Sequence, residues 1–123
     1  MKFAKLVFLV AGIYGLVAML PQYFLEEKMG RDYPPPITHP EYYYGFIGVV
    51  VAWQVLFLFI ARNPARYRVM MIPAILEKAS FAIAVIVLFL LDRVAPVMLV
   101  FAAIDLILGA LFVAAYTKTQ NER

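Results

Sequence analysis

The sequence predicts an all-α membrane protein, a four-transmembrane-helix bundle, and three observations carry that prediction. Hydrophobic residues make up 65% of the 123-residue chain and mean hydropathy is +0.85, whereas soluble domains are nearer half apolar. The apolar residues fall into four blocks of roughly 20 residues or more, enough to cross a hydrocarbon core about 30 Å thick. Most of the charged residues lie between the blocks. The chain reads as one membrane domain, 1–123, with spans at 6–25, 42–61, 69–91 and 94–116.

The first block follows Lys2 and Lys5, which imitate the start of a signal peptide. Its apolar run is longer than a typical signal core and no small-x-small cleavage site follows, so it reads as a retained helix. The segment 26–41 reads as the one real outer loop, stiffened by Pro34-Pro35-Pro36 as a polyproline piece. Thr38-His39-Pro40-Glu41 has the spacing of a capping box and predicts where the second helix begins. Asn63-Pro64 predicts an N-cap and first helical residue ahead of the third span, with a bend near Pro73. Asp92 is the expected cap of the fourth helix. Tyr23, Tyr42, Tyr43 and Tyr44 form an outer aromatic belt, and Tyr67 and Tyr116 an inner one; anchoring is their expected role.

Orientation follows from the basic residues. Lys2, Lys5, Arg62, Arg66, Arg68, Lys118 and Arg123 lie on one side, and Lys28, Arg31 and Arg93 on the other. Seven against three places both termini in the cytoplasm, in a bacterial cytoplasmic (inner) membrane. The net charge of +3 is therefore a topology signal with contact to anionic lipid, and nucleic acid is excluded as a partner. There is no cysteine and a single histidine, His39, beside Pro40. Thiolate chemistry, cysteine metal sites and a bis-histidine haem within one chain are thereby excluded. No cofactor is implied, and with no catalytic motif the reading leans away from an enzyme.

Four strongly polar side chains stand inside the spans, Gln54, Glu77, Lys78 and Asp105, and Tyr14 of the first span falls at the same depth. Counted in from the cytoplasmic ends, all lie about 10–17 Å deep, so four helices contribute to one layer. The apolar residues of the third span favour insertion by roughly 6 kcal/mol, while two ionised groups oppose it by about 5–7 kcal/mol. That helix therefore depends on its neighbours. Glu77 and Lys78 are roughly 100° apart on the helix, so they are not expected to pair simply with each other, and Asp105 is the natural partner of Lys78. Glu77 is then the surplus acid. For Tyr14 and Gln54 alone, fastening helices together is the simpler role.

Helical spacing assigns faces. Met70, Pro73, Glu77, Ser80 and Ala84 form the expected inward stripe of the third helix, and Met98, Ala102, Asp105, Gly109 and Tyr116 that of the fourth. Ala11, Tyr14 and Ala18 fall together on the first helix, beside Gly15. On the second helix Gly45, Gly48 and Ala52 lie opposite Gln54, which predicts a second packed face against another helix or another subunit.

The run His39-Pro40-Glu41-Tyr42-Tyr43-Tyr44-Gly45-Phe46, with Trp53-Gln54, Asn63-Pro64 and Leu76-Glu77-Lys78, resembles a group of small uncharacterised bacterial four-helix integral membrane proteins. The resemblance covers about two thirds of the chain and implies the architecture without an activity. In helix count and buried acids the chain is also similar to DoxX-like proteins and to the emopamil-binding and sigma-2-receptor-like bundles. In the latter, acidic residues inside the bundle meet cationic or sterol-like ligands.

The leading functional expectation is binding of a small amphipathic or lipid-like molecule by Glu77, Lys78, Asp105, Gln54 and Tyr14. It predicts an enclosed cavity touching Glu77 or Asp105. The alternative is an accessory subunit of a larger membrane complex or homo-oligomer, which predicts a filled interior and an exposed Gly45/Gly48/Ala52 face. A weaker alternative is proton or cation passage, which requires a polar path to both surfaces.

Overall fold

A computed structural model describes residues 2–119 and is helical throughout, with no strand among the described residues. Helix α1 spans Lys2–Met19 and tightens into a 3-10 turn, Leu20–Phe24, where Pro21 removes a backbone donor. A short helix α2 follows at Glu26–Asp32, then α3 at Pro40–Arg62, α4 at Met71–Leu90 and α5 at Met98–Lys118. With their flanking turns, four of these helices are long and apolar enough to cross a membrane. Arg123, counted in the charge balance, lies outside the described residues.

Several local expectations are corrected. The outer segment is half helix: Glu26 and Glu27 stand in the first turn of α2 and Arg31 in its last, each with the favoured sign for the helix dipole, and Lys28 pairs with Asp32 at 2.6 Å. At the start of α3 the cap position belongs to His39, with Pro40 as first helical residue, and no side chain caps the helix. The His39 carbonyl accepts from the Tyr42 and Tyr43 amides instead. Asn63 ends α3, and its Oδ1 accepts from the Arg66 amide at 3.3 Å, closing an isolated turn. Pro73 falls in the first turn of α4, where a missing N–H costs no helical bond.

Asp92 stops α4 rather than starting α5. Its φ of 57° is left-handed, its amide donates to the Phe89 carbonyl and the Arg93 amide to the Leu88 carbonyl. That pattern is a Schellman motif, with Asp92 in the place glycine usually fills.

The long helices pack as two pairs, α1 with α3 and α4 with α5, joined mainly along α1 and α5; α3 and α4 barely touch. The core is divided accordingly. Its larger part draws on all four helices, with Phe8, Phe57 and Phe112 fully buried at its centre. Phe8 and Phe112 stack at 4.2 Å, and Phe57 meets Phe112 edge-on at 5.0 Å, contacts worth about 0.5–1.5 kcal/mol each beyond their burial. The smaller part, Ala82, Val85 and Ala102, belongs to α4 and α5 alone.

Tyrosines tie the end that carries α2. Tyr43 Oη donates to the Gln22 carbonyl at 2.7 Å, and Tyr44 Oη to Glu26 at 3.1 Å. At the end that carries the termini, the Arg68 guanidinium lies 3.7 Å over the Tyr116 ring and its Nε donates to the Tyr116 carbonyl at 3.0 Å.

Candidate functional site

The buried stripe of α4 is Met71, Ala74, Lys78, Ala82 and Val85. It lies one residue, about 100°, from the face expected at sequence level. Met70, Ser80 and Ala84 are exposed and Pro73 is half-buried. Lys78, at 4% exposure, is thus at the centre of the inward face and Glu77 on its flank. Ala74 and Ala82, one turn to either side, clear space for the lysine stem.

On α5 the lysine passes Gly109, where an added Cβ would stand 3.4 Å from the Lys78 Cβ. Asp105 is one turn away, and Lys78 Nζ donates to its Oδ1 at 3.5 Å. Glu77 Oε2 stands 3.6 Å from the same Nζ. The expectation that Glu77 and Lys78 do not pair is therefore incorrect. Lys78 sits between two carboxylates, and the Phe57 ring of α3 adds a third neighbour with its centroid 5.2 Å from Nζ.

The two acids differ in helix rather than in distance: Asp105 meets the ammonium across the α4–α5 contact at 3.5 Å and Glu77 meets it within α4 at 3.6 Å. One lysine facing two ionised carboxylates leaves a net charge of −1, which at this depth calls for a proton, a cation or a ligand donor.

The other expected members divide. Tyr14, half-buried on α1, packs against the larger core part. Gln54, 1% exposed, donates to the Val50 carbonyl of its own helix at 2.9 Å, and its Oε1 accepts nothing. Its carboxamide lies against Gly15, where any Cβ would overlap it. Gln54 thus acts at the α1–α3 contact, with no hydrogen bond to the charged trio. The Gly45/Gly48/Ala52 face is largely outside the fold: nothing comes within 4 Å of a Cβ at Gly45, Ala52 is exposed, and only Tyr23 Oη, at 3.5 Å, approaches Gly48.

The trio lies at the boundary of the two core parts, between Ala74 and Leu108 on one side and Ala82 and Ala102 on the other. It therefore stands at the edge of the larger core part, beside the smaller one built by α4 and α5. The interior below is filled by the three phenylalanines, as the accessory-subunit expectation has it, and neither depression described next touches Glu77 or Asp105. Two open depressions mark the surface. One of about 380 Å³ is lined by Ile37, Thr38, His39, Tyr42, Tyr43 and Phe46, and one of about 230 Å³ by Val49, Ala52, Trp53 and Leu56. No group of His, Asp and Glu with metal-binding geometry occurs among the described residues. Searches against known protein families, curated proteins and solved structures find no match to this chain.

Proposed function

We propose that this protein binds a small amphipathic molecule from the bilayer, holding its polar head at Glu77, Lys78 and Asp105. Residence in a bacterial cytoplasmic membrane with both termini inside belongs to the same reading and rests on the basic residues at the terminal end. The observation that carries it is the excess carboxylate: the single ammonium of Lys78 stands 3.6 Å from Glu77 Oε2 and 3.5 Å from Asp105 Oδ1, so two acids share one cation and are left short of donors. A buried acceptor left unmade costs about 1–3 kcal/mol, so a ligand that donates an N–H or O–H to it gains affinity from that deficit. Native mass spectrometry of gently extracted protein tests this. The wild type is expected to retain a small molecule that Glu77→Gln loses, and equal retention by both contradicts the reading.

A second reading, an accessory subunit packed against a partner helix or its own copies, is favoured by the exposed Gly45/Gly48/Ala52 face. Small residues there would let another backbone approach closely.

A further inference from the structure

The two ends of the bundle differ in charge. At the end that carries the termini stand Lys2 and Lys5 of α1, Arg62 at the close of α3, Arg66 and Arg68 in the connection to α4, and Lys118 at the close of α5. No carboxylate among the described residues lies there. The opposite end sets Lys28, Arg31 and Arg93 against Glu26, Glu27, Asp32, Glu41 and Asp92. The 62–68 connection at the basic end is held in shape. Asn63 Oδ1 accepts from the Arg66 amide, the Tyr67 amide donates to the Asn63 carbonyl at 3.1 Å, and Pro64 is fully buried. Arg68 fastens the connection to α5 through the ring and the carbonyl of Tyr116. The Arg66 guanidinium lies 5.7 Å from the centroid of the Tyr67 ring. Arg62 and Arg66 are exposed, and no acid among the described residues pairs with either.

Tyr67 and Tyr116 are half-buried at this end, and amphipathic rings at the end of a membrane bundle sit at headgroup level. Each has an arginine over it, so the guanidinium groups stand at the depth of the lipid phosphates. A guanidinium presents a planar fork of donors that matches phosphate oxygens in pairs, whereas a lysine ammonium acts as a point charge. We infer that the 62–68 connection is a docking surface for the headgroups of anionic phospholipids. Arg62 and Arg66 make the phosphate contacts, Arg68 positions the connection, and Lys2, Lys5 and Lys118 supply the surrounding field. Charge complementarity selects this occupant: an end with six basic side chains and no described acid favours a lipid of net negative charge. A zwitterionic lipid offers the same phosphate but brings a cation into the same field. The surface shares no residue with the charged trio, so the inference stands apart from the reading of that site.

The test reconstitutes the full chain in phosphatidylcholine vesicles carrying traces of spin-labelled phosphatidylglycerol or spin-labelled phosphatidylcholine. Electron paramagnetic resonance reads the fraction of each probe held at the protein surface, and the ratio of the two association constants is the lipid preference. The wild type is expected to prefer phosphatidylglycerol. Arg62→Gln/Arg66→Gln lowers that preference by at least about fivefold, the worth of one basic residue near an anionic surface. Arg31→Gln/Arg93→Gln removes two exposed arginines from the opposite end and leaves the preference unchanged. Lys2→Gln/Lys5→Gln removes the same charge from the basic end but outside the connection, and lowers the preference less than the Arg62/Arg66 variant does. All six substituted side chains are exposed, so each variant keeps the core intact. A wild type without preference for phosphatidylglycerol overturns the inference. So does a preference that Arg62→Gln/Arg66→Gln leaves unchanged, or one that the Arg31/Arg93 variant lowers as much. Equal losses from the lysine and arginine variants at the basic end overturn the 62–68 connection as the docking surface and leave only a diffuse field.

Discussion

Lys78 reaches Asp105 at 3.5 Å across the α4–α5 contact, and Glu77, its own neighbour in sequence, reaches the same Nζ at 3.6 Å. The lysine is therefore shared, but only its pair with Asp105 crosses from one helix to the other. Removing one leaves the other in place, so Asp105→Leu is expected to cost about 1–3 kcal/mol. Removing both in Glu77→Gln/Asp105→Leu strands a buried ammonium and costs about 3–5 kcal/mol. Unfolding in mixed micelles reads both, and a double-mutant cycle shows the coupling as non-additivity.

Gly109 is expected to be specific for small residues because of what lies opposite. An alanine Cβ there meets Lys78 at 3.4 Å, so Gly109→Ala shifts the melting temperature only slightly. Gly109→Leu drives a branched side chain into the lysine stem and costs about 1–3 kcal/mol. Equal melting temperatures for Gly109→Leu and the wild type would show that α4 and α5 are not in this register.

At the α1–α3 contact the equivalent pair is Gly15 and Gln54. Gly15→Ala places a Cβ on the Gln54 carboxamide and is expected to lower stability by about 1–3 kcal/mol. Adding Gln54→Ala removes the overlap and should recover most of the loss. No recovery in the double variant would mean that Gly15 is required for another reason.

The outward face of α3 separates the two functional readings. Gly45 has open space around it, so Gly45→Leu is expected to leave the melting temperature of the isolated chain unchanged. If a partner helix uses that face, the same variant shifts the native mass from an assembly to a monomer. An assembly unaffected by Gly45→Leu removes this face from the accessory reading.

The four spans were legible because crossing a bilayer demands only length and apolar composition, and both are written in the chain. The trio Glu77, Lys78 and Asp105 was legible because an ionised group inside a span is too costly to be incidental. Its internal geometry was not. In helices that are apolar on every side, periodicity carries little information about which face turns inward, and the stripe expected through Glu77 missed the buried one through Lys78. The signal that distinguishes them is Ala74-Lys78-Ala82, two small residues one turn either side of a long one. Helix α2 was missed because seven residues, five of them charged, carry no apolar period, and Asp92 because an aspartate beside a helix reads as a cap until its positive φ is seen. The pairing of Gln54 with Gly15 depends on helix neighbours and register, which no single span encodes.

Topology remains the premise for locating the site in depth. A reporter fused after Arg123 is expected to be active only in the cytoplasm, following the basic residues at the terminal end. Activity on the outer side would invert the orientation of the trio relative to the membrane.

The central claim is that Glu77 serves a ligand while Lys78 and Asp105 hold the helices, and one paired measurement tests it most directly. Melting temperature and small-molecule retention are recorded by native mass spectrometry and thermal unfolding on the wild type, Glu77→Gln and Asp105→Leu. The account predicts that Glu77→Gln keeps the melting temperature and loses the bound molecule, while Asp105→Leu lowers the melting temperature. Equal effects of the two substitutions on both quantities would contradict it, and would make the charged trio a fastening between α4 and α5.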